Sequence, residues 1–184
     1  MATSRHTTRR RLRPHDAILA AAVAGARLGN EEDFRTVYRM LHPALLSYLT
    51  ARIGDDQAAS DAASEVWQVI AHEVFTFEGD DTDFRVWALS LARRQIPDHP
   101  RTDPAGPATD DIRRPLCALP PDLADALLLR QVAGLDDAAA ARVLGTTAPA
   151  VQAASRRATW LVGDCLTSRP MPGSPRTQWA CAWC

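Results

Sequence analysis

From Glu31 onward, Phe34, Val37, Tyr38, Leu41 and Leu45 fall at the i, i+3, i+4, i+7, i+11 spacing of one helical face. The same arithmetic recurs at Ala59, Ala62, Ala63, Val66 and Ile70, and again at Phe84, Trp87, Ala88 and Leu91. With the alanine-rich stretch 16–28 these segments predict four helices packed as a bundle. Between the second and third periodic segments lies FTFEGDDTDF, where glycine and aspartates break the period and predict a loop. Phe75, Phe77 and Trp87 are expected in the core rather than at the surface.

After Ile96 the pattern stops. Pro97, Pro100, Pro104, Pro107 and Pro115, with Gly106 among them, cannot continue a helix. A proline inside a helix costs about 3 kcal/mol, so the third periodic helix should end or kink near Ile96. Periodicity resumes in CALPPDLADALLLRQVAGL, which opens with prolines where a helix tolerates them and continues with Leu123, Leu127, Leu128 and Val132.

The segment GLDDAAAARVLGTTAPAVQAASRRA then holds two short helical patterns. Asp136 and Asp137 place negative charge at the start of the first, and Gly145 ends it. Thr147 is positioned as N-cap of the second, with Pro149 in its first turn. That helix is expected to turn Val151, Ala154, Ala158 and Leu161 inward and Gln152, Ser155, Arg156 and Thr159 outward. Two short helices joined by a tight glycine turn, the second bearing arginines and small polar groups, form the pattern of a helix-turn-helix. Beyond Leu166 the tail TSRPMPGSPRTQWACAWC has no period.

The expected organisation is therefore all-α: two small helical domains joined by a flexible, proline-rich linker. A basic arm spans 1–14, the first domain 15–97, the linker 98–115, the helix-turn-helix domain 116–166, and a disordered tail 167–184. Composition agrees, because alanine, leucine and arginine abound while valine and isoleucine are sparse. All 21 basic residues are arginine. The net charge of −1 hides strong sorting: +5 over residues 1–30, −9 over 31–83, +3 over 84–101 and zero over 102–184. Such blocks fit a protein that offers one face to a basic partner and another to a polyanion. The opening TRRRLRPHDAILAAAVAGA has the basic-then-apolar order of an export signal, but Asp16 abuts a mostly alanine run, so a cytoplasmic location is expected. No stretch approaches the length of a membrane span.

Four segments taken in order resemble the extracytoplasmic-function (ECF) group of bacterial RNA polymerase sigma factors. DFRTVYRMLHPALLSYLTARIGD is similar to that group's opening helix of region 2, and AASDAASEVWQVI to its polymerase-binding helix. FTFEGDDTDFRVWALSLARRQIPDHPR resembles its promoter-melting and minus-ten-reading segment. LCALPPDLADALLLRQVAGLDDAAAARVLGTTAPAVQAASRRATWLV resembles region 4, which reads the minus-thirty-five element. The resemblance covers about residues 16–166 and implies a factor without catalysis of its own, needing no metal or cofactor, whose partners are core RNA polymerase and promoter DNA. Many relatives are held by an anti-sigma factor, which adds a third class of partner.

It also assigns roles. Asp61, Glu65 and Gln68 would face polymerase. Thr76, Glu78, Asp80 and Asp83 would hold an unstacked base of the minus-ten element, with Arg85, Arg93 and Arg94 on nearby phosphates. Thr147, Gln152, Arg156 and Arg157 would contact the minus-thirty-five element. Arg94 stands where the family usually has asparagine, and Gln152 and Ala154 where it usually has a lysine and an arginine, so weaker, less salt-sensitive DNA binding is expected. Two other functions stay open: a sigma-like interaction protein that occupies polymerase or an anti-sigma factor without productive promoter binding, and a thiol or zinc sensor built on the terminal CAWC.

Overall fold

A computed structural model describes residues 14–96 and 119–167. The basic arm before them, the proline-rich stretch, and the tail with its CAWC lie outside the described residues. The described chain is all helical: α1 Pro14–Arg27, α2 Glu31–Ile53, α3 Asp56–Glu73, a 3-10 turn Val74–Thr76, α4 Asp81–Arg94, α5 Pro121–Gln131, α6 Asp137–Leu144 and α7 Ala148–Thr167.

Short polar side chains set the boundaries. The Asn30 side chain accepts hydrogen bonds from the Glu32 and Asp33 amides, starting α2 with three acids in its first turn. Gly54 ends α2 in the left-handed conformation, and the adjacent Asp55 caps α3 through the Ala58 amide. Helix α4 stops at Arg94, consistent with the proline expected to end it. Asp136 caps α6 through the Ala139 amide, Gly145 closes it at φ 66°, and Thr147 Oγ1 accepts from the Ala150 amide. Two helices, Asp137–Leu144 and Ala148–Thr167, are thus joined through a left-handed glycine.

Helix α1 is part of the folded body, with Leu19, Ala22, Val23 and Ala26 buried. A ring cluster of Phe34, Tyr38, His42 and Trp67 packs α2 against α3. Tyr38 stacks on His42 at 4.5 Å, and Trp67 Nε1 donates to His42 Nδ1 at 3.1 Å. Burial lowers the His42 pKa, in keeping with an imidazole that accepts at Nδ1.

The core does not stop at the end of α4. Leu45, Tyr48, Leu49 and Phe84 belong to the same buried cluster as Leu128, Leu129, Leu135, Val143 and Val151. Helix α6 presents Ala139, Ala140 and Ala141 to this cluster, and side chains that small let helices approach closely. A smaller cluster of Leu119, Ala124, Leu127 and Ala158 joins α5 to α7. In the described conformation the two helical groups are therefore packed together.

Two local expectations are corrected. The stretch read as a loop through Phe84 contains the 3-10 turn and the start of α4, because its aspartates cap a helix rather than merely interrupt one. Phe75, expected in the core, is 57% exposed, whereas Phe77 and Trp87 pack edge-on and stacked around buried Phe84.

Candidate nucleic-acid and protein interfaces

Helix α3 buries Ala59, Ala62, Ala63, Val66 and Ile70, which forces the intervening positions outward. Asp61, Glu65 and Gln68 are all exposed, at the i, i+4, i+7 spacing of one face, and exposed His72 extends it. Gln57 Nε2 donates to Asp61 Oδ1 at 2.9 Å, holding one end of this strip. The face is acidic and polar, suited to a basic partner.

The segment from Thr76 to Asp83 is built around a reciprocal cap. Asp80 Oδ1 accepts from the Asp83 amide at 2.8 Å, while Asp83 Oδ2 accepts from the Asp80 amide at 3.1 Å. Gly79 precedes the cap at φ 148°, and a Cβ there would lie 2.6 Å from Asp83 Cβ, so only glycine fits without movement. The Asp80 amide, and after it Arg142, hold the Asp83 carboxyl below its ordinary pKa. Thr76 and Glu78 are exposed, with Thr76 Oγ1 donating to the Glu73 carbonyl.

The arginines of α4 have different settings. Arg94 is exposed. Arg85 is mostly buried, its guanidinium donating to Asp16 Oδ1 of α1 at 3.0 Å. Arg93 Nε donates to Asp125 Oδ2 of α5 at 3.2 Å. Two of the three cations expected on phosphate are thus engaged with carboxylates, because helices that sequence periodicity treats separately pack beside α4. Asp83, likewise expected at DNA, pairs with Arg142 of α6 at 2.7 Å. A polar cleft of about 250 Å³, lined among others by Asp16, Asp81, Arg85, Leu135 and Asp136, runs along this seam.

The residues that periodicity missed are those that join the two groups. Asp125 is 1% exposed. Its Oδ1 accepts from the Tyr48 hydroxyl at 2.9 Å and lies 2.5 Å from Arg52 Nε, while its Oδ2 meets Arg93. A signal was present: the second acid of PDLADALLLRQ, Asp125, sits between alanines and next to a run of leucines, and every residue from Ala124 to Leu129 is buried.

On α7, Gln152, Arg156 and Arg157 are exposed as expected, and Trp160, 68% exposed, continues the line of Gln152 and Arg156. Thr147 is exposed, with its hydroxyl engaged in capping. Ser155, expected on the outer face, is 1% exposed and accepts from Arg130 at 2.9 Å. Arg130 also pairs with Asp137 at 2.5 Å, so one guanidinium ties α5, α6 and α7 together and fixes the angle at which α7 presents its outer face. Among the described helices none is long and apolar enough to cross a membrane.

Residues 37–103 match the family described as Sigma-70 region 2, a span that takes in most of α2 and all of α3 and α4. Comparison with curated proteins finds no match. Among solved structures the chain is similar to CnrH in complex with the cytosolic domain of CnrY, at 21% identity and TM-score 0.70, covering 85% of this chain and 99% of that one. It is also similar to the sigma factor RpoE of Bartonella quintana in complex with the anti-sigma factor NepR, at 17% identity and TM-score 0.63, covering 76% and 99%. At these identities the likeness is one of fold.

Proposed function

We propose that the protein is a transcription initiation factor that docks on core RNA polymerase and directs it to a subset of promoters, since residues 37–103 match the Sigma-70 region 2 family and the chain is similar in fold to solved sigma factors. The observation that carries this reading is the exposed strip Asp61, Glu65 and Gln68, which lies inside the matched region. It offers a basic surface of polymerase an acidic helix face already fixed by the core behind it. The factor supplies binding and orientation in the cytoplasm, and the polymerase supplies the chemistry.

Promoter contact is divided between two surfaces in this proposal. Thr76, Glu78, Asp80 and Asp83, with Arg85, Arg93 and Arg94, serve the minus-ten element, where a base leaving the stack needs acceptors and the strand needs cations. Thr147, Gln152, Arg156 and Arg157 of α6 and α7's hairpin serve the minus-thirty-five element in the major groove. An anti-sigma factor is a further partner in this reading, since the RpoE relative was solved with one.

A second reading, a sigma-like protein that binds polymerase without productive initiation, is favoured by the engagement of Asp83, Arg85 and Arg93 within the chain. One experiment separates the two. The full-length protein is added to purified core polymerase on genomic DNA fragments, and both co-elution and new transcript starts are measured. Specific new starts support the initiation factor; co-elution without them supports the second reading. Absence of co-elution with wild-type protein defeats both. Asp61→Arg with Glu65→Arg should abolish co-elution while leaving the helical content intact.

A further inference from the structure

We propose that the polar cleft between α1, α4 and the turn leading into α6 binds a small organic cation, a primary alkylammonium of a few carbons, with the Asp81 carboxylate as its anchor. Asp81 carries none of the polymerase or promoter roles assigned above, so the site stands whether or not the chain directs initiation.

The anchor is a buried acid that the chain leaves without a counterpart. Asp81 is 6% exposed and lines the cleft. Its own backbone amide aside, its carboxylate has no hydrogen-bond or ion-pair partner among the described residues. The neighbouring acids do have partners: Asp16 takes the Arg85 guanidinium at 3.0 Å, and Asp136 caps α6 through the Ala139 amide at 2.8 Å. Arg85 is the only cation among the described residues lining the cleft, and its ion pair is made with α1 rather than with Asp81. Burying a carboxylate without a partner is costly, and the group that relieves the cost is a cation with hydrogens to donate.

Size and walls select the kind of cation. The cleft measures about 250 Å³, the liquid volume of roughly eight waters, which suits a small molecule. Leu135 and Ala139 give it an apolar wall for a short alkyl stem. Gly134, at φ 68°, forms another edge with backbone alone, so no side chain of that residue covers the opening. Among the described residues no three acids, histidines or cysteines gather as a metal-binding group, which favours an organic cation over a metal ion. A primary ammonium brings three donors, whereas a quaternary one would neutralise the carboxylate without satisfying it.

The test is calorimetric titration of the full-length protein with n-butylammonium at about 0.15 M salt, where exposed charges are screened. One saturable site per chain is expected, with tetramethylammonium and butan-1-ol each about tenfold weaker or more, since neither pairs a charge with a donated hydrogen. Asp81→Asn keeps the shape and removes the charge, and should weaken binding about tenfold or more. Thr82→Trp fills the cleft from a half-buried wall position and should abolish binding. Glu31→Gln removes an equal charge from exposed α2, outside the cleft, and should leave binding unchanged. The comparison among probes needs only wild-type protein, so it decides the matter even where a variant fails to fold. No saturable binding, equal uptake of tetramethylammonium, or wild-type affinity in a folded Asp81→Asn overturns the site. Nα-acetyl-lysine amide carries the same ammonium stem on a peptide unit and separates the two sources of this chemistry. Weaker binding than n-butylammonium supports a free small molecule; tighter binding overturns it in favour of a lysine of another protein.

Discussion

Tyr48 and Asp125 lie 77 positions apart in the chain, yet the phenol hydroxyl donates to the carboxylate at 2.9 Å in a site where both residues are closed to solvent. Burial first, then the neighbouring carboxylate, raises the Tyr48 pKa far above its ordinary range, so the hydroxyl remains a donor throughout the pH range of the folded protein. Tyr48→Phe keeps the ring and removes only this donor. A hydrogen bond to a charged acceptor contributes about 1.5–3 kcal/mol, and Asp125 retains two arginines, so a loss of about 1.5 kcal/mol is expected. Urea denaturation should show a lower midpoint with an unchanged slope. A loss below a few tenths of a kcal/mol would mean that this hydroxyl does not support the carboxylate.

Gly79→Ala should be more damaging than loss of the neighbouring cap side chain. Asp80→Ala removes one N-cap acceptor, a change worth about 1 kcal/mol. At Gly79 the new Cβ would meet Asp83 Cβ at 2.6 Å while its backbone sits at φ 148°, which adds strain of about 1–3 kcal/mol. A fall in melting temperature of roughly 4–8 °C is expected for Gly79→Ala, about twice that of Asp80→Ala. Equal effects would mean that the loop relaxes and the glycine is dispensable.

Asp81 gives a pH prediction with a definite sign. Burial, followed by the Asp80 and Asp16 carboxylates, raises its pKa, with Arg85 opposing. A carboxyl whose pKa is raised on folding favours the folded state while protonated, and that contribution is lost as pH rises through the folded pKa. At neutral pH the charged form is therefore a burden that Asp81→Asn removes. The variant should have a higher urea midpoint than wild type at pH 7, and the gap should narrow as pH falls to the ordinary aspartate value of about 4. A gap that is constant with pH would show that the change acts through packing rather than charge.

Helix existence was legible in the sequence wherever one face was apolar, and so were the caps at Thr147 and Gly145, because these signals are local. The exposed strip on α3 followed from the same periodicity, read from its polar side. The partners of Arg85, Arg93 and Asp83 were not legible, since Asp16, Asp125 and Arg142 come from other helices and periodicity says which face is polar, not what lies against it. Ser155 failed for a different reason: it lies i+4 from buried Val151 and i−3 from buried Ala158, so spacing places it on the inner face, but its hydroxyl suggested the outer one; Arg130 from α5 gives that hydroxyl its buried partner. Asp125 is the exception that could have been found, because an acid walled in by leucine and alanine must meet a cation or a donor.

The outer face of α7 makes the last prediction. Arg156 and Arg157 are exposed on a helix whose orientation is set by the Arg130 contacts behind it, whereas Gln152 is an amide able to read a base edge. Each phosphate contact adds about −0.9 to the slope of log affinity against log salt. Arg156→Ala with Arg157→Ala should therefore flatten that slope by up to about 2 and weaken binding alike for all duplexes. Gln152→Ala should leave the slope alone and change the preference among sequences by about 1–3 kcal/mol at one base pair. Fluorescence anisotropy on duplex DNA across a salt series checks both. A slope unmoved by the double arginine change would place the phosphate backbone on some other face of the hairpin, and α7 would then contribute by packing alone.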